Sequence, residues 1–151
     1  MTKPYRVSAG GVVLHEHRLL LVRYPKHGGG TLLAGPGGAL EQGENAVAAI
    51  IREAKEETGI LVQPKRVLFI EDLTNQRYKM CKIWMLCEYV DGEIVQTPEA
   101  ELEGIIECGW FTRQALEQET VFPPELLQHD WDAFQDDAWS TVVLPSRVAI
   151  F

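Results

Sequence analysis

The chain has 151 residues, a mass of 17.0 kDa, 46% hydrophobic and 24% charged residues, a composition that excludes disorder and suffices for one ordinary core without staples. Its formal charge of -8 excludes a general nucleic-acid binder and a binder of anionic membranes, because both use basic patches to displace counterions. No run approaches the roughly 18 apolar residues of a membrane span, and Cys81, Cys87 and Cys108 lack zinc or disulfide spacing, so free thiols in a soluble cytoplasmic protein are expected.

In chain order, residues 6–14 and the apolar run 19–22 read as the strands of a hairpin, separated by His15, Glu16 and His17. The tip histidines are expected to be solvated rather than to bind metal. The stretch PKHGGGTLLAGPGGAL follows. Its first glycine cluster, Gly28 to Gly30, reads as a mobile loop, and the absence of Gly-Lys-Ser/Thr excludes a P-loop. Residues 45–58 read as a helix with Asn45 as its N-cap and Gly59 at its C-terminal cap. Strands are expected at 67–70, 79–90 and 108–111, the second of them apolar on both faces and therefore central. A short helix is expected at 112–118, a helix-like acidic segment in FPPELLQHDWDAFQDDAWS and a last strand at 141–144. Tyr78, Trp84, Trp131 and Trp139 are read as core packing rather than base stacking. With no repeat or linker, residues 1–151 are expected to form a single α+β domain.

On the helix, Glu53, Glu56 and Glu57 fall within an arc of roughly 100°, beside an apolar arc of Val47, Ile50, Ile51 and Ala54. Like charges at these spacings destabilise a helix by a few tenths of a kcal/mol per pair, and a bound cation removes the conflict. Hard carboxylate oxygens suit Mg2+ or Mn2+ and leave coordination positions for water and phosphate. Such an ion neutralises phosphate charge and acidifies an attacking water, as phosphoanhydride hydrolysis requires. It also answers the objection that an acidic chain repels a polyphosphate. Gly35, Pro36, Gly37 and Gly38 let the backbone approach a ligand closely, and an Arg52–Glu44 pair would tie the preceding loop to the helix.

The pattern Gly38, five residues, Glu44, seven residues, then Arg52-Glu53-Ala54-Lys55-Glu56-Glu57-Thr58-Gly59-Ile60 resembles the Nudix box at every constrained position. Coincidence at all of them is below about one in a million. A hairpin strand ending at Arg23, the Pro36-Gly37-Gly38 lead-in and Trp110-Phe111 in a late strand extend the resemblance over the greater part of the chain. It implies a Nudix-type α/β/α sandwich with a mixed β-sheet between helices. The activity it implies is Mg2+-dependent, with Mn2+ as a substitute: pyrophosphohydrolysis of a nucleoside diphosphate linked to another group, by water attack at phosphorus. Nucleoside triphosphates, ADP-ribose-like compounds and dinucleoside polyphosphates all stay open.

By the same resemblance Glu53, Glu56 and Glu57 are metal ligands together with the carbonyl of Gly37 or Gly38. Arg52 orients Glu53, and Glu44 supports the loop. Glu103, with Glu101 second, is expected as an additional ligand or the general base, and Arg23 as a contact to substrate phosphate. Specificity is expected outside the box, in the tail from Val121 onward, whose aromatic residues also leave a homodimer open. The alternative is a nucleotide-sensing Nudix domain without turnover, against which the intact box speaks.

Overall fold

The computed structural model describes residues 3–149. Strand β1 (Tyr5–His15) turns into β2 (Arg18–Pro25) through Glu16 and His17, whose φ values of 51° and 62° suit the left-handed pair of a two-residue hairpin turn. His15 is not a free tip residue. Its ring stacks on Tyr89 with centroids 4.5 Å apart. The glycine-rich stretch, expected as loop and turn, contains two short strands, β3 (Thr31–Ala34) and β4 (Gly37–Ala39). Glycine gives no strand signal of its own, and here pairing with β2 and β1 imposes the extended backbone.

Helix α1 (Ala46–Thr58) leads into β5 (Leu61–Thr74) and β6 (Lys79–Asp91). Strand β5 starts earlier than its apolar stretch, because pairing with β6 continues past a register irregularity at Pro64. Then come α2 (Pro98–Leu102), β7 (Glu107–Thr112), β8 (Val121–Phe122), α3 (Trp131–Gln135), β9 (Val142–Val143) and β10 (Arg147–Val148). The helix expected at 112–118 shrinks to a 3-10 turn at Gln114–Leu116, where only Leu116 is buried. The acidic tail segment resolves into a 3-10 turn at Pro124–Leu127 and the five-residue α3, which buries Trp131 and Phe134.

The strands form one mixed sheet in the order β10-β5-β6-β1-β2-β3-β8, with β4 on β1, β7 on β2 and β9 on β5. Strand β6 is interior, as its two-sided apolarity predicts, and runs parallel to β1 from Tyr5↔Lys79 to Leu14↔Glu88. Period-two alternation sends neighbours along each strand to opposite faces. Ala9, Val13 and Leu20 meet Ala49, Ile50 and Ala54 of α1 on one side. Val12, Leu14, Leu19 and Leu21 join Phe69, Trp84, Leu126 and Phe134 on the other. The second helical layer consists of short turns and α3. Near the middle of the sheet the Trp84 ring occupies the space where a side chain at Gly10 would stand. No helix among the described residues is long and apolar enough to cross a membrane.

Candidate active site

Both ends of α1 are fixed by local chemistry. Asn45 Oδ1 accepts from the Ala48 N–H at 2.9 Å, and Gly59, with φ of 82°, donates its N–H to the Lys55 carbonyl. Between the caps, Glu53 and Glu57 stand one turn apart and are buried with the apolar face, at 5% and 0% exposure. Strand β4 runs across them. The Gly37 N–H donates to Glu57 Oε1 at 3.1 Å and the Tyr24 hydroxyl to Glu57 Oε2 at 3.2 Å. A side chain at Gly38 would place its first carbon 2.6 Å from Glu53 Oε1, so any larger residue there would have to displace the Glu53 carboxylate.

Arg52 organises the other side. Its guanidinium donates to both oxygens of Glu44 at 2.7 and 2.9 Å, to Glu53 Oε1 at 2.8 Å and to the Ala39 carbonyl at 3.2 Å. The loop tie anticipated from the sequence is thus present, and it holds Glu44 down to about 2, well below the usual carboxylate range. Glu56 is also taken up by Arg52, at 3.2 Å, with its side chain 35% exposed.

A third carboxylate comes from outside the helix. Thr97 caps α2 by accepting from the Ala100 N–H, and its hydroxyl donates to the Glu56 carbonyl, which docks α2 against α1. Glu103 follows directly as the C-terminal cap of α2. Glu53, Glu57 and Glu103 each offer an oxygen within 4.8 Å of the others, and Glu56 and Glu101 lie outside this group. Glu53 Oε2 is buried and lacks a hydrogen-bond partner among the described residues. Burial, then the neighbouring Glu53, pushes the Glu57 carboxyl well above its ordinary value. Burial, then Glu53 and Glu56, raises Glu103. Converging hard oxygens, one of them unsatisfied, fit a divalent oxygen-seeking cation; zinc would prefer nitrogen or sulfur.

The group opens through Gly37, Gly38 and Glu103 onto a cleft of about 520 Å3, whose other walls include Arg6, Tyr24, Lys26, His27, Tyr78 and Lys82. The Arg6 guanidinium lies 4.2 Å over the Tyr78 ring. Lys82 is 7% exposed and its Nζ stands 4.4 Å from the centre of the Trp84 ring. In a chain of charge -8, these cations supply the local positive field an anionic ligand needs. Sequence reasoning missed Arg6 and Lys82. The available signal was the lysine that interrupts the apolar run of MCKIWMLC.

Arg23, expected to contact substrate phosphate, is placed elsewhere. It does not line the cleft. Its guanidinium is bidentate on Glu119 at 3.0 Å, donates to Thr31 Oγ1 at 2.8 Å and lies 3.4 Å from Glu107, so its donors are already engaged. The tail from Val121 packs mainly on the face of the sheet away from α1, and among its described residues Val148 and Ala149 line an adjoining cleft with His27 and Tyr78.

The NUDIX domain family model matches residues 4–136. An ADP-ribose pyrophosphatase of Methanocaldococcus jannaschii is 24% identical over 117 residues, 76% of this chain and 69% of that protein. An 8-oxo-dGDP phosphatase of Mus musculus is 30% identical over 95 residues, which span 63% of this chain but 26% of that protein. Among solved structures, a NUDIX hydrolase from Nitrosomonas europaea superposes with a TM-score of 0.69 at 25% identity, covering 83% of this chain and 85% of that one. An ADP-ribose pyrophosphatase from Streptococcus suis gives 0.68 at 23% identity, covering 91% and 98%.

Proposed function

The chain belongs to the NUDIX family, and from that premise we propose that it is a Mg2+-dependent pyrophosphohydrolase. Its substrate in this reading is a nucleoside diphosphate linked to another group, cleaved at a phosphoanhydride bond by water attack at phosphorus. The observation that carries it is the convergence of Glu53, Glu57 and Glu103 within 4.8 Å at the edge of a cleft whose walls carry Arg6, Lys26 and Lys82.

We assign Glu53 and Glu57 to hold the ion, with a carbonyl of Gly37 or Gly38, and Glu56 to the outer side of the site. When bound, a divalent cation neutralises phosphate charge and makes water more acidic. Around it the protein's own groups set the geometry. The Tyr24 hydroxyl and Gly37 N–H fix both Glu57 oxygens, and Arg52 holds Glu53 while Glu44 braces Arg52. Glu103, on a loop rather than the helix and raised in pKa by burial, is assigned to take the proton of the attacking water. A carboxylate of raised pKa is a stronger base than a solvated one. The new bond joins the water oxygen to phosphorus, and the bridging oxygen leaves with its electron pair.

ADP-ribose-like compounds are the first substrates to test, because the archaeal relative carries that name. The three free cysteines suit the reducing cytoplasm as the compartment. The experiment is incubation with a panel of nucleoside triphosphates, nucleoside diphosphate sugars and dinucleoside polyphosphates, with Mg2+ or Mn2+ and product masses as readout. Turnover is expected for at least one, giving a nucleoside monophosphate or its phosphorylated complement. Binding without turnover across the panel would identify a sensing domain instead.

A further inference from the structure

Lys82 sits in the interior of the sheet, on β6 between Ser8 of β1 and Glu71 of β5. What little exposure it has faces the cleft, which it lines together with Gly37, Gly38 and Glu103. Its ammonium is held against the Trp84 ring at 4.4 Å. That ring is itself fixed, because Trp84 Nε1–H donates to Glu71 Oε1 at 2.9 Å. Withdrawing an ammonium from water is strongly unfavourable, and the neighbouring positions Met80, Trp84 and Leu86 show that apolar residues fit this strand.

Arg147 shares the balancing of Glu71, pairing with it and with Glu125, and Lys82 is attracted as well by Glu57 and Glu53 of the carboxylate group. Once a cation occupies the carboxylate group, Lys82 adds positive charge at the cleft wall. A diphosphate offers separate oxygens to a divalent cation at one point and to a preorganised ammonium at another.

We propose that Lys82 Nζ binds a non-bridging oxygen of the substrate's diphosphate, making it a substrate-contacting catalytic residue on a wall of the cleft distinct from α1. This rests on the hydrolase reading above. As the anhydride P–O bond breaks and its electron pair passes to the bridging oxygen, the ammonium stabilises the growing negative charge. Lysine is a point charge without a planar fork, so it stabilises this charge without imposing a bidentate geometry on one particular phosphate.

The test compares the parent with Lys82→Met, using the exposed Lys65→Met as a control. Calorimetry with α,β-methylene ADP and Mg2+ is expected to show binding to the parent, weakened at least about tenfold in Lys82→Met and unchanged in the control. With a turned-over substrate, kcat/KM of Lys82→Met should fall roughly 100-fold, the scale of one lost charge-stabilising donor. Equal affinity and equal kcat/KM with only a lower melting temperature would make Lys82 a structural counter-charge and overturn the proposal. So would a parent that does not bind the analogue. If Lys82→Met does not fold, the lysine 13Cε resonances of the parent decide: the Lys82 signal must move when the analogue is added. A parent that binds the analogue but hydrolyses nothing defeats the hydrolase reading, while the comparison of affinities still judges Lys82.

Discussion

Glu57 has no exposed surface and lies beside Glu53. Its folded-state pKa is raised, so the metal-free protein should lose stability as pH rises above the unfolded value of 4.5 toward that higher pKa. Glu57→Gln removes the penalty. Its metal-free melting temperature at neutral pH should exceed that of the parent by about 2–4 °C, while the stabilisation by added Mg2+ disappears and kcat falls roughly 100-fold. Scanning calorimetry with and without Mg2+ separates these effects, and an unchanged Mg2+ increment would remove Glu57 from the ion site. Glu44 has the opposite sign. Its pKa is depressed by Arg52 to about 2 from 4.5, so its contribution is complete above 4.5 and fades as pH falls toward 2. Thermal melts of Glu44→Gln across that interval should show a shallower acid slope than the parent.

The elements differ in how far the sequence could disclose them. Helix α1 was legible because its determinants are local: Asn45 and Gly59 at its ends, and an apolar arc beside a charged one. The arrival of Glu103 was anticipated only by family resemblance, since it depends on Thr97 reaching the Glu56 carbonyl across 41 residues of chain. The ion pair of Arg23 was hidden for a similar reason. Its partner Glu119 lies 96 residues away in sequence, and no spacing rule reports such a pairing. Thr97→Val tests the importance of docking. The variant should lose about 1 kcal/mol from the missing cap, and its kcat should fall by more than that loss explains, because Glu103 no longer stands beside Glu53. A kcat equal to that of the parent would show that Glu103 is not needed in that place.

Over the whole molecule, two cores share one sheet, and the tail is joined to the far one by charge as well as packing. Arg147 on β10 pairs with Glu71 on β5 and with Glu125 before α3, and the Glu71 side chain has 0% exposure. The composition predicted a core of ordinary size, yet nothing local marked this charged trio, whose members lie far apart in sequence. Arg147→Met should destabilise the protein by about 3–5 kcal/mol, because it takes the paired guanidinium away from two largely buried carboxylates, Glu71 and Glu125. Urea denaturation measures this directly. A loss below about 1 kcal/mol would mean that Glu71 takes up a proton instead.

The seat of Trp84 against Gly10 makes the two positions a compensating pair. Alanine at position 10 has no room while the indole is present, so Gly10→Ala alone should be strongly destabilising. Trp84→Phe alone should also destabilise, through the lost bond to Glu71 and the smaller ring. Their effects should nevertheless fall short of additive by about 0.5–3 kcal/mol, since the added methyl enters space that the smaller ring vacates. Divergence in this part of the sheet is therefore constrained in order: the large ring must shrink before the small residue can grow.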